Sequence, residues 1–312
     1  MHCSSAHFDD VHLHAGAIVG WQQTYDQLSE GHPHTFLRHV TGERFQLFQE
    51  TLDTRVVQRG KAPEGRLCLA IPLGQARSGM FQGQNLGSEQ VALLRGGETF
   101  FVQAEAGMRL LAITVDLARF ARVAAFELSD EQLHRLGHST RLQVPAAQLQ
   151  QATQRLQRLL EVHDHALDER WVEQQVLEAL LDVLGQADDI SRRRSGNKAV
   201  GAYLVRRCQE LVMAQADEPL GILELCEQLK VSRRTLQSAF HDATGMRPVE
   251  YLRAVRLNEA RRRLRDQPAP DTSVSRVAND LGFTHLSHFA VQYKRLFGER
   301  PSHTLGAAAG AH

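Results

Sequence analysis

The chain has little of what would mark it as secreted, membrane-bound or catalytic. Only four of its 312 residues are cysteines, Cys3, Cys68, Cys208 and Cys226. No two form a C-x-x-C pair, which argues against a zinc site or a redox motif and for reduced thiols in the cytoplasm. No apolar run approaches the 18 residues of a membrane span. The opening MHCSSAHFDD lacks the basic and then apolar segments of a signal peptide. There is no G-x-x-x-x-G-K-[ST] phosphate loop, and no spacing reads as a Ser/His/Asp or Cys/His nucleophile. No catalytic residue is assigned, and the chain is not expected to be an enzyme. Net charge is missing too, with Lys+Arg and Asp+Glu both 36. That zero averages two unlike parts. From residue 196 onward there are 17 basic and 12 acidic residues, a net of +5, which leaves −5 for residues 1–195. Such asymmetry points one half toward a polyanion.

What is present is ordinary globular material: 42% hydrophobic and 23% charged residues, with length for about two domains. The fold class expected is α+β. Residues 1–140 read mainly as strands. The apolar runs Phe45–Phe48, Leu67–Leu73, Val91–Leu94 and Leu110–Val115 alternate with Gly79, Gly83, Gly87, Gly96, Gly97 and Gly107, a pattern suited to a β-sandwich or barrel. After Pro145 the period becomes helical, over Ala146–Val162 and Trp171–Leu184, and the two helices suit an antiparallel hairpin. The stripe Val176, Leu177, Leu180, Leu181, Leu184 can pack on the β-domain or form a homodimer seam, and the two roles are compatible. The expected organisation is a first domain over 1–184 (β-rich to 145, helical from 146), a polar linker over 185–198 containing Arg192–Arg194, and a second domain over 199–305.

The last part contains a repeat. Ile222, Leu225, Cys226 and Leu229 recur 52 positions later as Val274, Val277, Ala278 and Leu281. Leu236, Phe240, Gly245 and Pro248 recur 53 positions later as Phe289, Tyr293, Gly298 and Pro301. One residue has entered the turn of the second copy. Each copy reads as short helix, tight turn, second helix, which is the helix-turn-helix plan, at about 222–241 and 274–295. Ser232 and Thr284 are the expected N-caps. Between the copies Val249–Arg265 reads as a long helix carrying Arg253, Arg256, Arg261, Arg262, Arg263 and Arg265, ended by Pro268 and Pro270.

If Leu236 and Phe240 face inward, Arg234, Gln237 and Ser238 form one outward stripe at i, i+3 and i+4. Arg matches guanine and Gln adenine, so these three are the expected base contacts. Ser232 and Arg233 suit phosphates. The equivalents in the second copy, Ser287, Ala290 and Val291, are short. Ser287 and Val291 are candidate base contacts, while His288, Gln292, Lys294 and Arg295 are candidates for the backbone. The second unit is therefore expected to supply affinity more than sequence discrimination.

The segments VSRRTLQSAFHDATGMRPVEYLRAVRLNEARRRL and VANDLGFTHLSHFAVQYKRLFGERPS resemble the DNA-binding domain of the AraC/XylS transcriptional regulators. The resemblance covers about residues 200–305. It implies seven helices, two helix-turn-helix units on one linking helix, and regulation of transcription, usually activation, with double-stranded DNA and RNA polymerase as partners. The N-terminal half then resembles the cupin-like effector domains of many members. Within the family, Trp21–Leu28 (WQQTYDQL), Phe45–Thr51 (FQLFQET), Leu86–Gln90 (LGSEQ), Gly96–Phe100 (GGETF), Val231–His241 and Leu252–Arg262 resemble the regulators of ethanolamine operons. That implies ethanolamine and adenosylcobalamin as co-effectors. No effector-contacting residue is assigned by motif.

Two H-x-H pairs, His12/His14 and His32/His34, invite comparison with metal-binding cupins. The Glu expected three or four residues after the second pair is absent, since Arg38 and His39 stand near that place, so no metal ligand is assigned. A cupin-type metalloenzyme with a DNA-binding tail is the alternative function, and an architectural DNA protein without a ligand is a third. For a regulator, the helices over 146–184 are the expected coupling element between effector and DNA.

Overall fold

The computed structural model describes residues 1–74, 79–161, 168–190, 196–215, 220–266 and 273–309. The N-terminal elements are β1 (His2–Phe8), α1 (Val11–Ala17), β2 (Gln22–Gln27), β3 (Thr35–Thr41), β4 (Phe45–Leu52), β5 (Val56–Lys61), β6 (Arg66–Pro72), β7 (Gly79–Phe81), β8 (Gln84–Asn85), β9 (Gln90–Arg95), β10 (Thr99–Ala104), β11 (Met108–Asp116), α2 (Leu117–Glu127), α3 (Asp130–His138), β12 (Arg141–Gln143), α4 (Ala146–Glu161), α5 (Glu169–Gly185) and β13 (Asp188–Asp189). Among the described residues seven helices follow: α6 (Gly196–Ala214), α7 (Ile222–Leu229), α8 (Arg233–Thr244), α9 (Pro248–Asp266), α10 (Val274–Asp280), α11 (Leu286–Phe297) and α12 (Pro301–Ala309). The molecule is mixed α+β, with antiparallel strands followed by a helical C-terminal part.

The four apolar runs fall in β4, β11, β6 and β9, which lie side by side in an eight-stranded sheet ordered β1-β3-β4-β11-β6-β9-β12-β13. Their near-continuous apolar character follows from burial on both faces. Along β4, Phe45 and Leu47 point toward helices, while Phe48, Glu50 and Leu52 point toward a second, five-stranded sheet ordered β2-β5-β10-β7-β8. A register slip of one residue would exchange the two sets.

Helices α4 and α5 pair on the outer face of the eight-stranded sheet. Leu149, Leu156 and Leu160 of α4 join Val176, Leu180 and Leu184 of α5 in one core with that sheet. This corrects the expected homodimer seam. Val176, Leu177, Leu180 and Leu184 are at most 4% exposed within a single chain, and Leu181 packs half-buried against the same core. An apolar stripe of this width is consumed by the sheet beneath it.

Residues 1–140 hold more helix than their pattern suggests. α2 is capped by Asp116, which accepts from the Arg119 amide at 2.7 Å, and α3 by a reciprocal Ser129–Gln132 capping box. The proposed linker is also shorter. Asp188 and Asp189 pair with β12, and Ala187 and Ile190 are buried. Arg192–Arg194 lie outside the described residues, as do Pro268 and Pro270.

The C-terminal helices surround a core that includes Leu225, Leu236, Phe240, Tyr251, Phe289 and Tyr293. Leu28, Val57 and Phe101 belong to the same core, so the helices rest on the outer face of the five-stranded sheet. The order of layers is helices, sheet, sheet, helices. α4 and α5 thus lie on the side of the sandwich away from the C-terminal part. They do not stand between the interior of the sandwich and α6–α12, as the expected coupling element would.

Candidate nucleic-acid interface

α7 and α8 are joined by a tight turn. Lys230 takes a left-handed conformation at φ 53°, and the Val231 amide donates to the Cys226 carbonyl at 3.0 Å. Ser232 Oγ then accepts from the Thr235 amide at 3.0 Å and starts α8. The second pair repeats this with Gly282 at φ 74° and the Phe283 amide donating to the Ala278 carbonyl at 2.9 Å. Its N-cap is His285 rather than Thr284. The residue inserted in the second turn moves the cap along with everything after it, so Ser232 corresponds to His285, 53 positions on.

Leu236 and Phe240 are fully buried, as are Phe289 and Tyr293. Ser232, Arg233, Arg234, Gln237 and Ser238 are exposed around the start and outer face of α8. On α11, Ser287, His288, Val291 and Lys294 are exposed and Gln292 is half-buried. Arg295 stands apart. It is exposed, but its guanidinium is paired with Glu30 of the β2–β3 loop, so an internal carboxylate already offsets its charge.

The linking helix α9 is not the uniformly basic surface its sequence suggests. Arg261 Nε lies 2.6 Å and Arg265 Nη1 2.7 Å from Asp10 Oδ2. Arg262 Nη1 lies 2.7 Å from Asp26 Oδ1, and Arg59 Nε lies 3.3 Å from Oδ2 of the same carboxylate. Burial alone would raise the pKa of Asp26, yet Arg262 and Arg59 hold it below the usual value. Asp10 is lowered in the same way by Arg261 and Arg265. Beside these pairs Asn258 and the Gln27 backbone exchange two hydrogen bonds, at 2.8 and 2.9 Å, and the Gln27 side chain donates to the Leu296 carbonyl at 2.8 Å. Part of the −5/+5 asymmetry is therefore neutralised between the halves of the molecule rather than offered to a partner.

Between the two sheets lies a cavity of about 50 Å³, room for a few non-hydrogen atoms. Trp21, Phe48 and Phe100 line it, together with the polar ends of Tyr25, Glu50 and Gln58. Tyr25 Oη donates to Glu50 Oε2 at 2.9 Å, and Gln58 Nε2 donates to Glu50 Oε1 at 2.8 Å. His14 Nε2 stands 3.5 Å from the same carboxylate, and its Nδ1 is 2.7 Å from Thr35 Oγ1. Burial pushes the Glu50 carboxyl up to about 7 and the His14 imidazole down to about 4. The paired-histidine pattern does not survive folding, because His14 turns into the sandwich while His12 meets Asp266. Among the described residues no three His, Cys, Asp or Glu side chains converge as metal ligands. Of these inward polar residues only His14 was singled out in the sequence, as half of an H-x-H pair, and Tyr25, Glu50 and Gln58 were not. The signal was there: Glu50 occupies the inward phase of β4, between Phe48 and Leu52.

Comparison with known proteins agrees with the paired-helix geometry. Residues 225–307 match a family described as a helix-turn-helix domain. A probable thc operon regulatory protein of Rhodococcus erythropolis is 35% identical over 103 residues, 33% of this chain and 31% of that protein. The XylDLEGF operon transcriptional activator of Pseudomonas putida is 32% identical over 128 residues, 40% of this chain and 38% of that protein. Among solved structures, a probable AraC family transcriptional regulator from Rhodopseudomonas palustris is 36% identical, with 34% of this chain and 97% of that one covered and a TM-score of 0.31. The chain spans about a third of the length of these curated relatives. Its C-terminal region is a helix-turn-helix domain homologous to those of AraC/XylS-type transcriptional regulators. No described helix is long and apolar enough to cross a membrane.

Proposed function

We propose that the protein is a sequence-specific, DNA-binding transcriptional regulator of the activator type, acting in the cytoplasm with RNA polymerase as a partner. The observation that carries this reading is the exposed stripe Arg234, Gln237, Ser238 on a helix capped by Ser232 and entered from a tight turn. We read α7–α8 and α10–α11 as two helix-turn-helix units. The first reads base edges through that stripe. The second meets DNA through Ser287 and Val291 at the bases and His288, Gln292 and Lys294 at the backbone, with Arg295 available only when its pair with Glu30 opens. Selection of binding sites from a random duplex pool by the full chain tests this, with Arg234→Ala expected to relax one position of the selected site.

The sandwich is read as a cupin-like effector domain acting within a homodimer, whose seam must lie elsewhere than on the buried stripe of α5. What supports an effector is the cavity and its place in the chain. Gln23 and Tyr25 of β2 line it, while Asp26, the next residue, grips Arg262 of α9. β5 is arranged alike, with Gln58 inward and Arg59 on Asp26. A ligand that repositions Tyr25 would move Asp26 with it, so β2 and β5 replace the 146–184 helices as the coupling element. Such a ligand shifts the equilibrium only by its difference in affinity for the docked and released states. Ethanolamine, the effector carried by resemblance, has the size and positive charge to meet Glu50. Adenosylcobalamin does not fit a cavity of about 50 Å³ and would need another site. Nothing in the donor geometry favours the metalloenzyme alternative. Thermal stabilisation of the full chain by ethanolamine, lost in Glu50→Gln, is the test of the effector assignment.

A further inference from the structure

The arginines of α9 fall on two nearly opposite sides of the helix, and only one side is neutralised. Asn258, Arg261, Arg262 and Arg265 face the sandwich and its carboxylates. Arg263 is held by Glu259 of its own helix at 3.0 Å. Arg253 and Arg256, three residues apart, lie on the other side. Among the described residues neither has a carboxylate within 4.0 Å, and Arg256 Nε is buried without a hydrogen-bond partner. Burial and the neighbouring charge of Arg253 both hold the Arg256 guanidinium below its usual pKa. Two like charges set this close, one of them partly desolvated, are stabilised by an anion placed between them.

Both side chains line an open groove of about 280 Å³ whose opposite wall is the turn before α11 and its first two turns. Thr284, His285, His288 and Gln292 contribute from that wall, and no Asp or Glu lines the groove. It therefore lies on the linking helix, beside the helix read as the second recognition helix. We propose that this groove seats a phosphodiester of the duplex backbone, with Arg253 and Arg256 as its cationic ligands and His285 and His288 as neighbouring donors. The proposal rests on the DNA-binding reading above and adds to it a contact on the linking helix itself. Bases are not the target, because the two guanidiniums sit against the flank of α11 rather than on its outward stripe. A phosphate needs charge and several donors rather than a base-specific pattern.

The test uses the full chain and the duplex it selects. Wild type, the Arg253→Ala/Arg256→Ala double variant and the Arg253→Lys/Arg256→Lys double variant are titrated with the selected duplex and an unrelated one at several salt concentrations. The alanine pair should lose about tenfold or more in affinity, by the same factor on both duplexes, and the slope of log affinity against log salt should shrink by about one. The lysine pair should keep most of the affinity. Neutral methylphosphonate linkages, introduced one at a time, should identify a single position that weakens wild type and leaves the alanine pair unaffected, an outcome that a merely misfolded variant would not give. Specific binding by wild type with unchanged affinity and salt slope in the alanine pair would overturn the proposal while leaving the DNA-binding reading intact. Stabilisation of the free protein by inorganic phosphate, lost in the alanine pair while duplex binding is unchanged, would give the groove to a free anion and overturn it as well. Failure of wild type to bind any duplex would overturn both together.

Discussion

The two sheets of the sandwich are covered by helices in different ways. α4 and α5 lie on the eight-stranded sheet through Leu149, Leu156, Val176, Leu180 and Leu184, all buried and apolar. The C-terminal helices lie on the five-stranded sheet through a small apolar contact at Leu28, Val57 and Phe101 and a belt of ion pairs and amide bonds centred on Asp10, Asp26 and Gln27. An apolar cover behaves as part of one core and does not come away without unfolding. A polar cover leaves groups that water can satisfy once it separates, and that is the property a releasable DNA-binding domain needs.

The sharpest break of the comparison is a charge placed in the apolar cover. Leu180→Glu should cost upwards of 3 kcal/mol and destroy the cooperative unfolding of the N-terminal half, because the carboxylate has no partner there. A folded variant that has merely changed its oligomeric state would show that α5 is not core. Next in size is Asp26→Ala, which leaves Arg59 without its carboxylate at the junction and Arg262 with only Glu259 of its own helix. Breaking one partner of a buried pair costs on the order of 3–5 kcal/mol. Here calorimetry should resolve two transitions where one is expected of the wild type, since only docking is lost. A single transition of unchanged midpoint would mean that the ion pairs do not hold the halves together.

Acid should imitate that variant. Asp10 and Asp26 both have lowered pKa values in the folded protein. Their contribution is present above the ordinary Asp value and is lost as pH falls through the folded ones. Docking should therefore weaken in acid before either half unfolds. Glu50 behaves in the opposite sense. With its folded value up to about 7, its contribution is complete below the ordinary Glu value and declines as pH rises toward 7, by on the order of 3 kcal/mol. His14, down to about 4, adds stability as pH rises through the ordinary histidine value. Over much of that range the two offset each other. Glu50→Gln should expose the histidine trend, gaining on wild type at pH 8 relative to pH 5 in chemical denaturation. Parallel pH profiles would show that Glu50 does not titrate as its burial implies. The smallest expected effects are at the surface proposed to face DNA, where Arg234→Ala and Gln237→Ala should each cost about 1–3 kcal/mol of base discrimination without changing stability.

Local pattern carried the sequence a long way where structure is local. The four strand runs, the α4–α5 hairpin, α7 at its observed ends and the Ser232 cap all follow from periodicity and capping chemistry. α2 and α3 were missed although Ser129-Asp-Glu-Gln132 spells a capping box, because their short apolar faces resemble the strands before them. The junction was not legible at all. Asp10 and Arg261 are 251 residues apart, and nothing in either segment names the other. For the same reason the arginines of α9 looked alike in the sequence, and only the fold separates Arg253 and Arg256 from those already paired. The buried stripe of α5 was ambiguous by nature, because core and dimer seam make the same pattern.

The central claim is that α8 reads DNA sequence while the second helix pair and the linking helix add affinity. Repeated selection of duplexes by the full chain at low salt tests it most directly. The expected result is one non-palindromic motif with two parts about one helical turn, ~34 Å, apart, bound with an affinity that falls linearly on a log–log salt plot and with one part degenerate in Arg234→Ala. Recovery of no enriched sequence, or a motif unchanged by Arg234→Ala, would contradict it.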